Sequence, residues 1–445
     1  MGGSVSVSQA IAMACCDSSS SAAHATPDRA LRAVARTKLR LRLLAGGATL
    51  ALVLSSFGLA AAAGPPPLGG ANSTPGTVWT WGDYNIFGHG SPALVRVPAI
   101  ADLVGLAVGQ GGGTGYDTDY ALRRDGTVWA WGTGGGGELG NGTTTGTAPM
   151  PVEVRGLDNV AAIAAAGDTA YALERDGTVW AWGTSFNGAL GNGAKQGFSD
   201  VPVEVHGLAD VTAIAAGGDT AYAVAKDGTV WAWGAGHDGQ LGNGTRAAES
   251  DVPVQVHGLS DVVTVAAGPS DAYAVAKDGT VWAWGAGHDG QLGNGTRATE
   301  SDVPVRVHRL SNVAAVAAFN GSDNVIALRK DGTVWHWGAA ANAYSKATYG
   351  VPVEVSALRG VVNIASGYYT EFAVRRDGTL WGWGDDEDGE MGNCTAALMA
   401  SGFCGLHESK LFFAGKPVPV PVLGRVVAVA GGYAEELAVV APKTG

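Results

Sequence analysis

The motif Trp-x-Trp-Gly occurs seven times in this 445-residue chain, at Trp79/Trp81, Trp129/Trp131, Trp180/Trp182, Trp231/Trp233, Trp282/Trp284, Trp335/Trp337 and Trp381/Trp383. These pairs account for all fourteen Trp, and their start-to-start steps are 50, 51, 51, 51, 53 and 46 residues. A period near 50 marks a propeller or a solenoid, in which a unit that cannot bury its apolar face alone stacks on copies of itself. Length would allow two or three domains; the repeat collapses them into one body over residues 76–440.

Each unit carries four strand candidates. Pro-Val-x-Val opens it (Pro151–Val154, Pro202–Val205, Pro253–Val256, Pro304–Val307, Pro352–Val355), and a run of small apolar residues such as Val211-Thr-Ala-Ile-Ala-Ala-Gly217 follows. Next come an alternating run such as Ala221-Tyr-Ala-Val-Ala225, then Asp227-Gly228, then Thr229-Val-Trp-Ala-Trp-Gly234. Asp-Gly recurs at Asp125, Asp176, Asp278, Asp331 and Asp377, where a two-residue hairpin turn needs positive φ. With a period of two along a strand, both Trp of a motif point to one face, and Ala130, Ala181, Ala232 or Ala283 between them points to the other. Stacked sheets then pack large against small. The 70 Gly, roughly twice ordinary usage, fit the many turns that such short strands require.

The first motif has no preceding strands of its own unit, whereas the C-terminal region supplies Pro417–Val422, Arg425–Gly431 and Glu436–Val440. The expectation is an all-β, seven-bladed β-propeller of four-stranded blades, its ring closed by one N-terminal strand joining three C-terminal strands. Closure removes exposed sheet edges, and an open solenoid would need capping units that the sequence does not show.

Asp-Gly-x-Val-Trp-x-Trp-Gly followed by Gly-Gln-Leu-Gly-Asn-Gly (Gly239–Gly244, Gly290–Gly295, with variants at Gly137–Gly142 and Gly188–Gly193) resembles the regulator of chromosome condensation repeat over residues 76–440. The resemblance implies a seven-bladed propeller. It departs where the family often has His before the third strand: Thr169, Thr220, Asp271, Asn324 and Thr370 stand there. Lys226–Ser250 and Lys277–Ser301 differ only at Ala248 and Thr299, as after a recent duplication.

The N-terminal segment reads differently. Arg36-Thr-Lys-Leu-Arg-Leu-Arg42 is a basic n-region, Leu43–Leu59 is an apolar run, and Ala60–Ala63 supplies small residues before Gly64. Residues 34–63 are expected to be a secretory signal peptide cleaved near Ala63. A retained anchor is the alternative, and about 17 apolar residues are short for it. Residues 1–33 are expected to be an extension from a misassigned translation start, 64–75 a linker and 441–445 a tail. Of the formal charge of −12, residues 1–63 carry six basic residues against Asp17 and Asp28, which leaves the body at −16. An acidic body excludes nucleic acid and anionic membrane surfaces as partners. Cys394 and Cys404, ten positions apart in an exported chain, read as a local disulfide, the alternative being two free thiols.

No catalytic or phosphate-binding motif is present. His237 and His288, and likewise His206, His257 and His308, recur with the repeat, so they are given structural roles and no metal site. Asn141, Asn243 and Asn294 match a glycosylation acceptor formally but belong to the Gly-Asn-Gly turn. Asp385–Glu390 approaches a calcium loop yet has Gly384 at the first ligand position, which favours a solvated acidic loop. No cofactor is expected. Departures from the repeat are the candidates for partner binding: Phe403, Leu411, Phe412 and Phe413 in the insert Asn393–Lys416, Tyr344 and Tyr349 in Ala339–Tyr349, and Tyr368 and Tyr369. The expected function is a secreted or envelope-located, monomeric, non-enzymatic scaffold that holds an unknown protein. This agrees with the inhibitors found among exported bacterial proteins that it resembles. Guanine-nucleotide exchange on a small GTPase is the alternative by family resemblance, disfavoured by export and the lack of a wedge insertion. A propeller lyase or hydrolase is the third, and the small-residue runs Ala161–Gly167, Val211–Gly217 and Val262–Gly268 offer it no ligands.

Overall fold

The structure, a computed structural model, describes residues 76–81, 94–98, 100–109, 117–144, 146–296, 298–319, 324–339, 348–368, 370–384, 414–420, 424–432 and 436–441, with the backbone alone at 339, 348, 349, 414 and 415. The first two strands are β1 (Thr77–Trp81) and β2 (Val95–Arg96). Six blades follow in chain order. Blade 1 is β3 (Leu103–Gly109), β4 (Thr118–Arg123), β5 (Val128–Thr133) and β6 (Thr147–Glu153). Blade 2 is β7 (Val160–Ala166), β8 (Thr169–Glu174), β9 (Val179–Ser185) and β10 (Gly197–Glu204). Blade 3 is β11 (Val211–Gly217), β12 (Thr220–Ala225), β13 (Val230–Ala235) and β14 (Glu249–Gln255), and blade 4 is β15 (Val262–Ala267), β16 (Asp271–Ala276), β17 (Val281–Ala286) and β18 (Glu300–Arg306). Blade 5 is β19 (Val313–Ala318), β20 (Asn324–Arg329), β21 (Val334–Ala339) and β22 (Thr348–Glu354). Blade 6 is β23 (Val361–Ser366), β24 (Thr370–Arg375), β25 (Leu380–Gly384) and β26 (Ala414–Val420). The last strands are β27 (Arg425–Gly431) and β28 (Glu436–Ala441).

All seven sheets are four-stranded and antiparallel, and the first strands contact one another around the ring until β27 meets β3. The chain is therefore a closed seven-bladed β-propeller. Closure occurs within one blade shared by both ends of the ring, but the division of strands differs from the expectation. The closing blade takes two strands from each end, in the order β2-β1-β28-β27. Pro417–Val420 lies in β26, which pairs with β25 (Trp381 opposite Pro419, Gly382 opposite Val418). The reason is general: Pro-Val-x-Val leaves the Trp strand through a loop and folds back on it, so it is the outer fourth strand of the blade before and not the first of the next. In the closing blade β2 takes that place, pairing with β1 at Trp79 and Thr80.

Large-against-small packing builds the seams between blades. Trp81, Trp131, Trp182, Trp233, Trp284 and Trp337 are fully buried, each removing about 200 Å² from water. Trp182 packs with Ala130 of the blade before it, as do Trp233 with Ala181, Trp284 with Ala232 and Trp337 with Ala283. Tyr120 meets Trp182 edge to face, ring centroids 5.8 Å apart. Both rings also donate to one acceptor, the Glu138 carbonyl, from Tyr120 Oη at 2.8 Å and Trp182 Nε1 at 2.9 Å. The same shared acceptor recurs at Ala189, Gln240 and Gln291. Each of these four seams thus satisfies two buried donors that would otherwise be costly. At the seam into the closing blade Phe372 replaces Tyr, 6.2 Å from Trp81 and edge-on.

The hairpins also differ in detail from the two-residue turn expected. Ala225 N donates to Thr229 O and Gly228 N to Ala225 O, which makes a three-residue loop in which only Gly228 has positive φ. Asp227 serves instead as acceptor, its Oδ1 taking Thr229 N at 3.0 Å and Oγ1 at 2.7 Å.

Candidate partner-binding face

The strand order puts two kinds of loop at opposite ends of every blade. One end carries the Asp-Gly hairpins; the other carries the loops that follow the Trp strands and the turns between first and second strands. At the latter end the Gly-Asn-Gly loops are held by Asx turns: Asn141 Oδ1 accepts from Thr143 N at 3.1 Å and Oγ1 at 2.7 Å, and Asn243 and Asn294 repeat the arrangement. The Asx turns thus make a repeated tie at the loop end of blades 1, 3 and 4. Ion pairs continue it from blade to blade, Lys195 to Glu249 at 2.9 Å and Arg246 to Glu300 at 2.6 Å.

Blade 2 interrupts the pattern. Phe198 occupies the position of Glu249 and Glu300, and Thr144 of blade 1 occupies that of Lys195 and Arg246, so this seam has neither partner of the pair. Phe198 is 61% exposed. Phe186, where the next two blades have the exposed His237 and His288, is 52% exposed at the same end of the same blade. Met150 on β6 adds a third exposed large apolar side chain on the neighbouring blade. One acidic group is tied to the residue after Phe186: Asp219 accepts from Asn187 Nδ2 at 3.1 Å, and burial raises its pKa. Exposed Phe of this kind is an ingredient of protein recognition.

The site residues anticipated from the sequence fare unequally. Tyr368 is half-buried, edge-on to Phe319 at 6.1 Å, and its N donates to Gly432 O across the seam at 3.1 Å. Tyr349 lies on β22 opposite Gly338, described by its backbone only. Tyr344, Tyr369, Phe403, Leu411, Phe412, Phe413, Cys394, Cys404, the acidic loop from Asp385 and the N-terminal segment through residue 75 lie outside the described residues. Phe186 and Phe198 lie outside the long inserts, in loops of ordinary repeat length, and only position-by-position alignment of the repeats sets them apart.

A second departure is internal. Four blades have Ala170, Ala221, Ala272 and Val325 opposite the second Trp, and three consecutive blades have Glu371, Glu436 and Asp119. All three carboxylates are buried. Glu436 accepts from Thr370 Oγ1 of blade 6 at 3.0 Å. Desolvation pushes Glu371 up to about 8 and raises Asp119 well above the usual range, Asp117 adding to the latter through its charge. These acids lie on the second strand of their blades, opposite the second Trp and beside the small-residue first strand. Among the described residues no group of three or more His, Cys, Asp or Glu could hold a metal ion.

With this geometry established, comparison with known proteins decides the family. The profile of the regulator of chromosome condensation (RCC1) repeat matches residues 125–173, 176–224, 227–275 and 278–328, and a second profile of that repeat matches 211–240 and 361–390. The chain belongs to the RCC1 repeat family. It is 31% identical over 401 residues to the E3 ubiquitin-protein ligase HERC2 of Homo sapiens, covering 82% of this chain and 8% of that one. It is also 31% identical over 277 residues to the mitochondrial RCC1 domain-containing protein RUG3 of Arabidopsis thaliana, covering 60% of this chain and 62% of that one. The RCC1-family chain thus spans less than two thirds of either relative. Among solved structures, Prp20p of Saccharomyces cerevisiae, described with its binding to Gsp1p and histones, superposes with a TM-score of 0.68 at 20% identity, covering 83% of this chain and 93% of that one. Human WBSCR16 gives 0.67 at 20% identity, covering 82% and 99%. Both likenesses concern the fold.

Proposed function

We propose that this RCC1-family propeller is an exported, non-enzymatic binding protein that holds another protein on the loop end of blades 1 and 2. The observation that carries the reading is the pair Phe186 and Phe198, exposed on one blade where the next two blades have His and an ion-paired Glu. A rigid ring gives such side chains a fixed spacing, which lowers the entropy lost on binding. Protein binding is also what Prp20p is described with, towards Gsp1p and histones, and towards Kap60 in a second structure. Export rests on the basic n-region, apolar run and small residues of 36–63.

The test is affinity capture from the producing cells' envelope and medium, with the wild type and the Phe186→Ser/Phe198→Ser double variant as baits. A partner captured by the first and lost by the second, with the two baits unfolding at the same temperature, is the expected result. Equal capture by both baits would move the site elsewhere, and recovery of the protein only from the cytoplasm would overturn export.

A further inference from the structure

The hairpin end of the ring contains a cavity of about 620 Å³ in blade 4, lined by Ser260, Asp261, Ala276, Lys277, Asp278, Thr280, Trp282 and Arg306. The repeat itself indicates what chemistry such a cavity accepts. In blade 5 the last residue of the second strand is Arg329. Its guanidinium carbon lies 5.9 Å from the Trp335 ring centroid, its Nη1 pairs with Asp331 at 3.4 Å, and its Nε donates to Ser311 O at 2.9 Å. In blade 6 the equivalent Arg375 lies 4.1 Å above Trp381. In blade 1 Arg123 pairs with Asp125 at 3.0 Å and donates from Nε to Ala101 O at 3.3 Å. An indole face, a hairpin carboxylate and a main-chain carbonyl therefore hold a guanidinium in this fold.

Blade 4 keeps the receiving groups and lacks the guest. Trp282, Asp278 and Ser260 stand at the positions of Trp335, Asp331 and Ser311, but Ala276 stands at that of Arg329, as the strand registers show. All four residues line the cavity. We propose that this cavity binds an arginine side chain of a partner protein, with the guanidinium over Trp282 and against Asp278. Lys277 does not oppose the reading, since Lys330 holds its place beside Arg329. Arg306 does compete: it stands opposite Trp282 in the register, and its charge adds a smaller part to the lowering of the Asp278 pKa that the hydrogen bonds from Thr280 chiefly cause. Gln255 replaces it in the otherwise near-identical blade 3. The inference rests on the ring's being a protein-binding scaffold, but its site lies at the opposite end from Phe186 and Phe198.

The experiment uses the full chain labelled with 5-fluorotryptophan, the Trp282 resonance being assigned from Trp282→Phe. N-acetyl-L-arginine amide is titrated against N-acetyl-L-citrulline amide, which has nearly the same shape and no charge. The expected result is a saturable shift of the Trp282 line with the arginine compound alone. Asp278→Asn weakens the apparent affinity by roughly tenfold, Arg306→Gln strengthens it, and Ala276→Arg abolishes the shift by placing the chain's own guanidinium as Arg329 is placed. An equal shift with citrulline, an undiminished shift in Ala276→Arg, no shift with arginine, or a shift with the neutral disaccharide cellobiose in its place would overturn the proposal. Because Ala276→Arg alters a strand end, the citrulline comparison and Asp278→Asn decide the matter if that variant does not fold. Failure of affinity capture leaves these measurements unaffected, so the two readings fail separately.

Discussion

Glu371 shows how a single residue couples a seam to pH. Its carboxyl lies where three blades have Ala and one has Val, fully buried opposite Trp383, and desolvation holds the group near 8. Between the ordinary glutamate value of 4.5 and about 8, the folded chain keeps a proton that the unfolded chain has released. Stability contributed by this group therefore falls as pH rises through that window and levels off above it. Glu371→Gln removes the titration while keeping the shape. Urea unfolding at pH 5 and pH 8.5 is expected to show near-equal stability at the lower pH and a more stable variant, on the order of a few kcal/mol, at the higher. Asp119 titrates in both proteins and cancels from the comparison. Equal slopes with pH in the two proteins would assign the group a normal titration. None of this was legible from composition: an acid within a strand reads as a solvated face until the position opposite a buried Trp is known.

At the scale of the element, the fourth residue of Trp-x-Trp-Gly is explained by the strand's bulge. The register between β13 and β14 shifts between Ala232 and Gly234, and Gly234 takes φ +99°. A Cβ there would collide with Asp219 O of the neighbouring turn, and Gly132, Gly183 and Gly285 meet the same obstacle. Gly234→Ala is thus expected to cost at least about 3 kcal/mol by strain and clash together, read as a lower urea midpoint. Gly258→Ala is the control, because nothing lies within 4 Å of its added Cβ although its φ is +73°; it should cost about 1 kcal/mol. The sequence displayed the strand pattern and the large-against-small faces, since alternation along a strand leaves a period of two. It did not display which blade owns the Pro-Val-x-Val strand, because a repeat has no intrinsic starting point, nor the three-residue hairpin, because Asp-Gly serves both turn geometries.

For the whole molecule, closure of the ring is the interaction that no single repeat contains. β1 gives β28 five register pairs, from Thr77 with Val440 to Trp81 with Glu436, and Trp81 carries the seam to Phe372 of blade 6. Without β1 and β2, β28 would present an unpaired edge and Phe372 would lose its aromatic neighbour. An exposed edge strand recruits other chains, so opening the ring should change association as well as stability. The comparison is between a chain beginning at residue 64, which keeps every described strand, and one beginning at residue 100, which lacks β1 and β2. The first is expected to unfold cooperatively and to elute as the full chain does. The second is expected to unfold at lower urea concentration and to form concentration-dependent oligomers in size-exclusion chromatography. Adding a peptide of residues 76–98 in excess should restore part of the lost stability, because it supplies the missing strands in trans and binds only the folded ring. If the shorter chain remained monomeric with an unchanged midpoint, the closing blade would not be what holds the ring together, and stability would have to be assigned to the six complete blades alone.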